Sequence, residues 1–218
     1  DAKRAFEPKG LMVTYAFLCD PELMNVPYRE IAENTGVALG TVTVVVKALK
    51  AGGFIHEDET KERHFVDYRK LLNRWVEVWP EKLKPKYFVG EFIAEDVDWW
   101  KKFALLKHGG YWGGEAAAAK YTTYLNLQVA TIYVPEKGVV KLLQEARLRK
   151  VTNPYGDKAG TVLIYTPFWQ PNIEVGKILD AISEPDLVHP LLVYADLIAT
   201  GDPRNREVAD KIYDEYIT

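Results

Sequence analysis

Between residues 9 and 50 the apolar positions fall at spacings of three and four, the period of helices packed on one side. Leu11, Met12, Tyr15, Leu18 and Cys19 predict a helix over 9–20, stopped by Asp20-Pro21. The stretch VPYREIAENTGVALGTVTVVVKALKAGGFI, 26–55, then reads as helix, tight turn, helix and the start of a strand. Pro27 suits a first helical turn, where its missing N–H would be unpaired anyway. Ile31 and Ala32 supply the inward face, and Gly36 can take the left-handed conformation that ends the helix. The next helix opens around Thr41 and runs to Gly52-Gly53. Val42, Val45, Val46 and Leu49 face inward, which leaves Thr41, Thr43, Val44, Lys47 and Lys50 outside. Two strand-like runs, 54–57 and 63–67, flank a polar tip at Thr60-Lys61-Glu62 and predict a hairpin. Three helices followed by a hairpin is the order of a winged helix-turn-helix, with the tip near Lys61 as the wing.

An amphipathic helix comes next over 67–83, with Leu71, Leu72, Trp75, Val78 and Trp79 on one face and a stop at Pro80 or Pro85. It either packs on its own domain, links the head to the second half of the chain or pairs with its copy in a dimer. From Lys86 the pattern alternates. It predicts a strand over 87–94, a helix over 96–107 capped by Asp96 or Asp98, and a glycine-rich turn over 108–114. A helix over 115–124, a strand over 129–134, a helix over 136–149, a turn over 153–160 and a strand over 161–166 come after it. A helix over 188–200 and a last one capped by Asp202, with Pro203 in its first turn, close the chain. The reading is α+β: a winged helix-turn-helix with its linking helix over 1–84, then a mixed α/β effector domain over 85–218.

With 218 residues, 48% of them hydrophobic, the chain can build two cores. It has no run of about eighteen apolar residues, so no membrane span is expected. No secretory leader is visible. The single cysteine, Cys19, excludes disulfide frameworks and cysteine-rich zinc sites and points to a reducing cytoplasm. Net charge is −3. Up to Pro85 there are 13 lysines and arginines against 13 acidic residues, and the remainder has 15 against 18. A neutral head must bind DNA through a local patch and as a homodimer, because phosphate neutralisation dominates affinity. Thr41, Thr43, Lys47 and Lys50 are the candidates for the major groove, and Lys61 and Arg63 for the phosphates beside the wing.

Catalytic signals are sparse in the second part. Gly113-Gly114-Glu115 before a helix suggests an anion site, but it lacks the lysine and hydroxyl of a P-loop, and Glu115 would repel a phosphate. In a nucleotidyltransferase layout the next strand carries an Asp-x-Asp metal pair, whereas this one reads VATIYVP. Asp96 and Asp98 have that spacing and precede the glycine turn, where helix capping accounts for them. His56, His64, His108 and His189 show no ligand spacing, although His56 and His64 can face each other across the hairpin. No cofactor or metal is called for. Asp196, in the middle of an apolar helix, needs a partner if buried, and Arg204 or Arg206 could supply one.

These pieces together resemble a family. The winged head, RWVEVWPEKLKPKYFVGEF, WWKKF, GGEAAAAKYTTYL and LLVYADLIATGDPRNREVADKIYDEYI are similar to the AbiEi-type antitoxins, transcriptional regulators of type IV (abortive infection) toxin–antitoxin systems. The match spans nearly the whole chain. Its specific parts are the Gly-Gly-Glu helix with Glu115 and the Tyr-Ala-Asp-Leu…Gly-Asp-Pro-Arg tail with Asp196 and Arg204, residues read as structural or partner-binding. The resemblance implies a non-catalytic repressor that binds operator repeats through its head and antagonises a nucleotidyltransferase-like toxin through its second domain. The recognition helix departs from a typical reader in being rich in valine. The alternative is a nucleotidyltransferase-like or metal-dependent enzyme using Asp96, Asp98 and Glu115.

Overall fold

The computed structural model describes residues 2–122, 126–153, 155–156, 159–170 and 185–217. The chain forms two units, Asp1–Lys86 with Phe168–Val175 and Tyr87–Pro167 with Gly176–Thr218, each counted over its described residues.

The first unit is built on α1, Pro8–Cys19, in which every residue from Gly10 to Leu18 is buried. Ahead of it lies a 3-10 turn, Ala2–Phe6, that the apolar pattern does not announce. The turn crosses α1 closely at Gly10, where a Cβ would lie 2.2 Å from the Arg4 carbonyl oxygen. Helix α2, Tyr28–Thr35, ends as expected on Gly36 in the left-handed conformation, φ 67°. Helix α3, Leu39–Ala51, starts two residues before Thr41 and buries Val42, Val45, Val46 and Leu49. Strands β1, Ile55–Glu57, and β2, Arg63–Phe65, pair antiparallel with His56 opposite His64. Helix α4, Tyr68–Lys82, is capped by Asp67, whose carboxylate accepts from the Lys70 N–H. It runs through Pro80 and stops short of Pro85; its buried face, Leu71 to Trp79, lies ahead of the proline, and Leu83 is buried just past the helix end. That face includes Trp75 and Trp79, stacked at 5.3 Å, with the Trp75 indole N–H donating to the Leu11 carbonyl at 2.9 Å. Phe168 enters this aromatic core from far along the chain, 5.0 Å from the Tyr15 ring and 6.3 Å from Trp75.

In the second unit five strands form one sheet in the order β4-β5-β7-β3-β6. They are β3 Phe88–Ala94, β4 Tyr111–Gly113, β5 Val129–Tyr133, β6 Leu148–Lys150 and β7 Thr161–Tyr165. Strands β5 and β7 are parallel and the other pairs antiparallel. Helix α5, Gly114–Thr122, packs on β5 and on α7, Pro190–Ala199. Every residue of α7 from Pro190 to Leu197 is buried, the mark of a helix apolar all round. Helix α8, Pro203–Tyr216, is capped by Asp202, which accepts from the Arg204 N–H, with Pro203 in its first turn.

Three expectations are corrected. The span 96–107 is two 3-10 turns, Trp99–Lys101 and Leu105–His108, instead of a helix. Its buried residues Trp100 and Leu105 are five apart, a spacing that a continuous helix puts on different sides. The glycine-rich stretch before α5 contains a strand, β4, because Trp112 is buried and pairs with Ile132. The helix over 136–149 ends early, as α6 Glu136–Glu145, and Arg147 at φ 51° turns the chain into β6. Residues 123–124 of the expected α5, and Pro154, Asp157 and Lys158 of the expected turn, lie outside the described residues. No helix among the described residues is long and apolar enough to cross a membrane.

Candidate nucleic-acid interface

The α2–Gly36–α3 arrangement sets α3 with its valine face inward and the other face open. Leu39 and Val44 are each 45% exposed on that open face, with Lys47 exposed beside them. Thr43 is half-buried, and its hydroxyl donates to the Leu39 carbonyl at 3.1 Å. Thr41 lines a groove of about 670 Å³ together with Val44, Arg4 and Lys9. Lys50 turns to Glu57 on the wing, Nζ to Oε2 2.7 Å.

Asp58 builds the tip of the wing by accepting from the Thr60 N–H and hydroxyl and from the Glu62 N–H. Those bonds and one to His64 hold its carboxyl down at about 2. Lys61 sits exposed at the tip with φ 68°, an unusual backbone for a residue with a Cβ. Arg63 is drawn inward. Its guanidinium donates to the Met24 carbonyl and to Glu57 and lies over the Tyr28 ring, 4.9 Å from the centroid. Asn25 closes the base of the wing on the Arg63 backbone, its amide donating to the carbonyl and its oxygen accepting from the N–H. Thus Lys47 stands on the open face with the half-buried Thr41 and Thr43 at its two edges, Lys61 stands apart at the tip, and Lys50 and Arg63 meet on Glu57.

The second unit places its signature residues at one junction. Gly113 leaves room where a Cβ would lie 2.6 Å from the Tyr133 ring, and Gly114 adopts φ 49°. That clearance lets Asp196 of α7 reach the N-terminus of α5, where its Oδ2 accepts from the Gly114 N–H at 3.1 Å. The Tyr133 hydroxyl donates to the same carboxylate at 3.0 Å. An anion does sit at this helix N-terminus, as the helix dipole favours. It is the protein's own. Glu115, one residue on, accepts from the N–H groups of Gln128 and Val129, each at 2.8 Å. Its other oxygen accepts from Arg204 Nη2 at 2.8 Å and Asn205 Nδ2 at 3.1 Å. Of the two arginines expected beside Asp196, Arg204 goes to Glu115, and the Tyr133 hydroxyl and the Gly114 N–H donate to Asp196. Sequence reasoning missed Tyr133, Asn205, Arg4 and Lys9. Nothing local marks the first two, whereas exposed cations just before and within the first turn of α1 are visible by charge alone.

A family model described as transcriptional regulator, AbiEi antitoxin, type IV TA system matches residues 64–218. The chain belongs to this family. Residues 18–63 match a second model, the Firmicute plasmid replication protein RepL, over the segment that holds α2, α3 and the wing up to Arg63. No curated protein and no solved structure matches.

The residues of the alternative, enzymatic reading are each engaged in local or structural contacts. Asp96 accepts from the Asp98 N–H at 2.9 Å, Asp98 pairs with Lys101 at 2.8 Å, and Glu115 is held in its own network. Among the described residues, the set able to share a cation is Asp58, Glu62 and His64 on the exposed wing. There His64 Nε2 already lies 2.9 Å from Asp58 Oδ2. His56 and His64 face each other with ring centroids 5.4 Å apart.

Proposed function

We propose that this regulator is an antitoxin that represses its own operon as a homodimer in the cytoplasm and antagonises a nucleotidyltransferase-like toxin. The observation that carries the reading is the open face of α3, backed by a wing and joined to a second unit that lies wholly within the antitoxin family match. Thr41, Thr43 and Lys47 enter the major groove of the operator, and Lys61 approaches a phosphate beside it. Lys50 and Arg63 contribute mainly by bracing the wing through Glu57. The second unit supplies toxin antagonism through its surface, since its buried carboxylates are consumed in holding α5, β5 and α8 together.

Two measurements test the reading. Footprinting with the full chain on the DNA upstream of its gene is expected to protect paired half-sites. Co-expression with the neighbouring reading frame is expected to restore growth that this frame alone arrests. Lack of protection removes the repressor assignment, and unrelieved arrest removes the antitoxin assignment.

A further inference from the structure

The open face of α3 carries little chemistry that can hydrogen-bond a base edge. Leu39 and Val44 are its large exposed side chains, and Gly40 between them has none. The Thr43 hydroxyl proton goes to the Leu39 carbonyl, which leaves the threonine a methyl and an oxygen that can only accept. Lys50 is held by Glu57. Lys47 remains as a point charge. Arginine, asparagine, glutamine and the acids, which read guanine, adenine and cytosine edges, do not occur between Leu39 and Ala51.

A surface of methyl groups recognises the one apolar group that the major groove displays, the C5-methyl of thymine. The surroundings of this surface fit the same ligand. Arg4 and Lys9 line the groove that contains Thr41 and Val44, together with Glu7, whose charge is met by Lys82 at 3.0 Å, and Lys47 is exposed on the other side of Val44. Cations thus border the apolar face as phosphates border the floor of a major groove.

We propose that α3 reads its operator through thymine methyl groups, contacted by Leu39, Thr43 and Val44, with Arg4 and Lys9 on adjacent phosphates. The operator half-sites are accordingly rich in A·T pairs. This inference rests on the operator-binding function proposed for the head.

Deoxyuridine supplies the test, because it pairs as thymine does and lacks only the methyl. The full chain is titrated with the footprinted duplex and with duplexes carrying deoxyuridine at each half-site thymine, one strand at a time. Affinity is expected to fall about fourfold per contacted thymine, the worth of one buried methyl. Val44→Ala and Leu39→Ala are expected to bind the thymine duplex more weakly and to discriminate less between thymine and uracil, at unchanged salt dependence. Arg4→Ala and Lys9→Ala are expected to do the reverse, keeping the discrimination and lowering the salt slope by about one each. Equal affinity for the thymine and uracil duplexes overturns this inference and leaves operator binding standing. Failure of the full chain to bind any duplex overturns both. Unaltered DNA binding by both Leu39→Ala and Val44→Ala assigns the apolar face to another occupant and also overturns it.

Discussion

Arg204 Nη2 stands 2.8 Å from Glu115 Oε1, joining the first turn of α8 to the first turn of α5. The second guanidinium nitrogen donates to the Asn126 carbonyl, also at 2.8 Å, ahead of β5. One arginine therefore ties together a helix, a strand entry and the C-terminal helix. The Gly-Gly-Glu and Gly-Asp-Pro-Arg segments meet at this contact.

Arg204→Ala removes the counter-charge from a carboxylate whose side chain is only 7% exposed. Removing one member of a fully buried pair costs about 3–5 kcal/mol. Arg204 is one-third exposed, and Asn205 and two backbone donors remain on Glu115. The expected loss is therefore about 2 kcal/mol. Urea unfolding of the full chain measures it, and Arg204→Lys is expected to recover only part, since one ammonium cannot replace both contacts. A loss no larger than that of a surface substitution contradicts the role given to this pair.

Gly114→Ala meets two obstacles. Its φ of 49° disfavours a Cβ, and the Cβ would lie 2.8 Å from Thr131 Oγ1. Backbone strain alone costs about 1–3 kcal/mol. Combining it with Thr131→Ala removes the Oγ1 collision and leaves the backbone cost and a 3.0 Å approach to the Cβ at 131, so the double variant is expected to be more stable than the sum of the single changes implies. Thermal unfolding of the four proteins measures that difference.

The parts of the fold that periodicity encodes were legible in the sequence. The inward valines of α3, Gly36 at the end of α2, and the Asp202-Pro203 start of α8 each act within one or two turns of chain. The junction around α5 was not. Asp196 invited pairing with Arg204 because the two are close in sequence, but the spacing from α7 to α8 sends that arginine elsewhere. Tyr133 and Glu115 reach their partners across 63 and 89 positions, which no local period records. The failure at Arg147 has a different cause. An arginine in the left-handed conformation is imposed by the sheet that takes up β6, and residue type gives no warning of it.

His189 makes the stability of the second unit depend on pH. It caps α7 by accepting from the Leu191 N–H at Nδ1, so its proton is on Nε2, a buried atom with no partner among the described residues. Burial pushes its pKa from 6.5 down to about 4. The unfolded chain thus binds a proton more readily than the folded one between those values. Stability is full above about pH 6.5 and falls as pH drops toward 4, by about 2 kcal/mol at pH 5. His189→Asn retains a capping oxygen and loses the titration. The gap between its unfolding free energy and that of the natural chain is expected to change by that amount from pH 7.5 to 5. A constant gap rules out His189 as the source.

Phe168 completes the aromatic core of the first unit, and it is 3% exposed. Its ring stands 5.0 Å from Tyr15 and 6.5 Å from Trp79. Phe168→Ala is expected to destabilise that unit by about 3–4 kcal/mol, the range for emptying an aromatic site. Tryptophan fluorescence during urea unfolding follows it through Trp75 and Trp79. A fragment ending at Lys86 lacks the ring entirely and is expected to unfold at lower urea than the same residues in the full chain.

The lysines and the arginine among the head's six candidate DNA contacts do not have equal claims on DNA, and salt dependence separates them. Lys47 is exposed on the open face of α3, so Lys47→Ala is expected to lower the slope of log affinity against log salt by about one. Lys50 must leave Glu57 before it can reach a phosphate. Lys50→Ala is therefore expected to change the slope less, and Glu57→Gln to raise it by freeing the lysine. Arg63 differs again, because its guanidinium holds the Met24 carbonyl and covers Tyr28. Arg63→Ala is expected to weaken binding at every salt concentration with a lowered unfolding temperature, as a loosened wing would. Lys61→Gly keeps the positive φ of the tip while removing its charge, so a slope change there reports a phosphate contact and not a broken turn. Should Lys50→Ala and Lys47→Ala shift the slope alike, the Lys50–Glu57 pair is not held against competition from DNA, and both lysines belong to the interface.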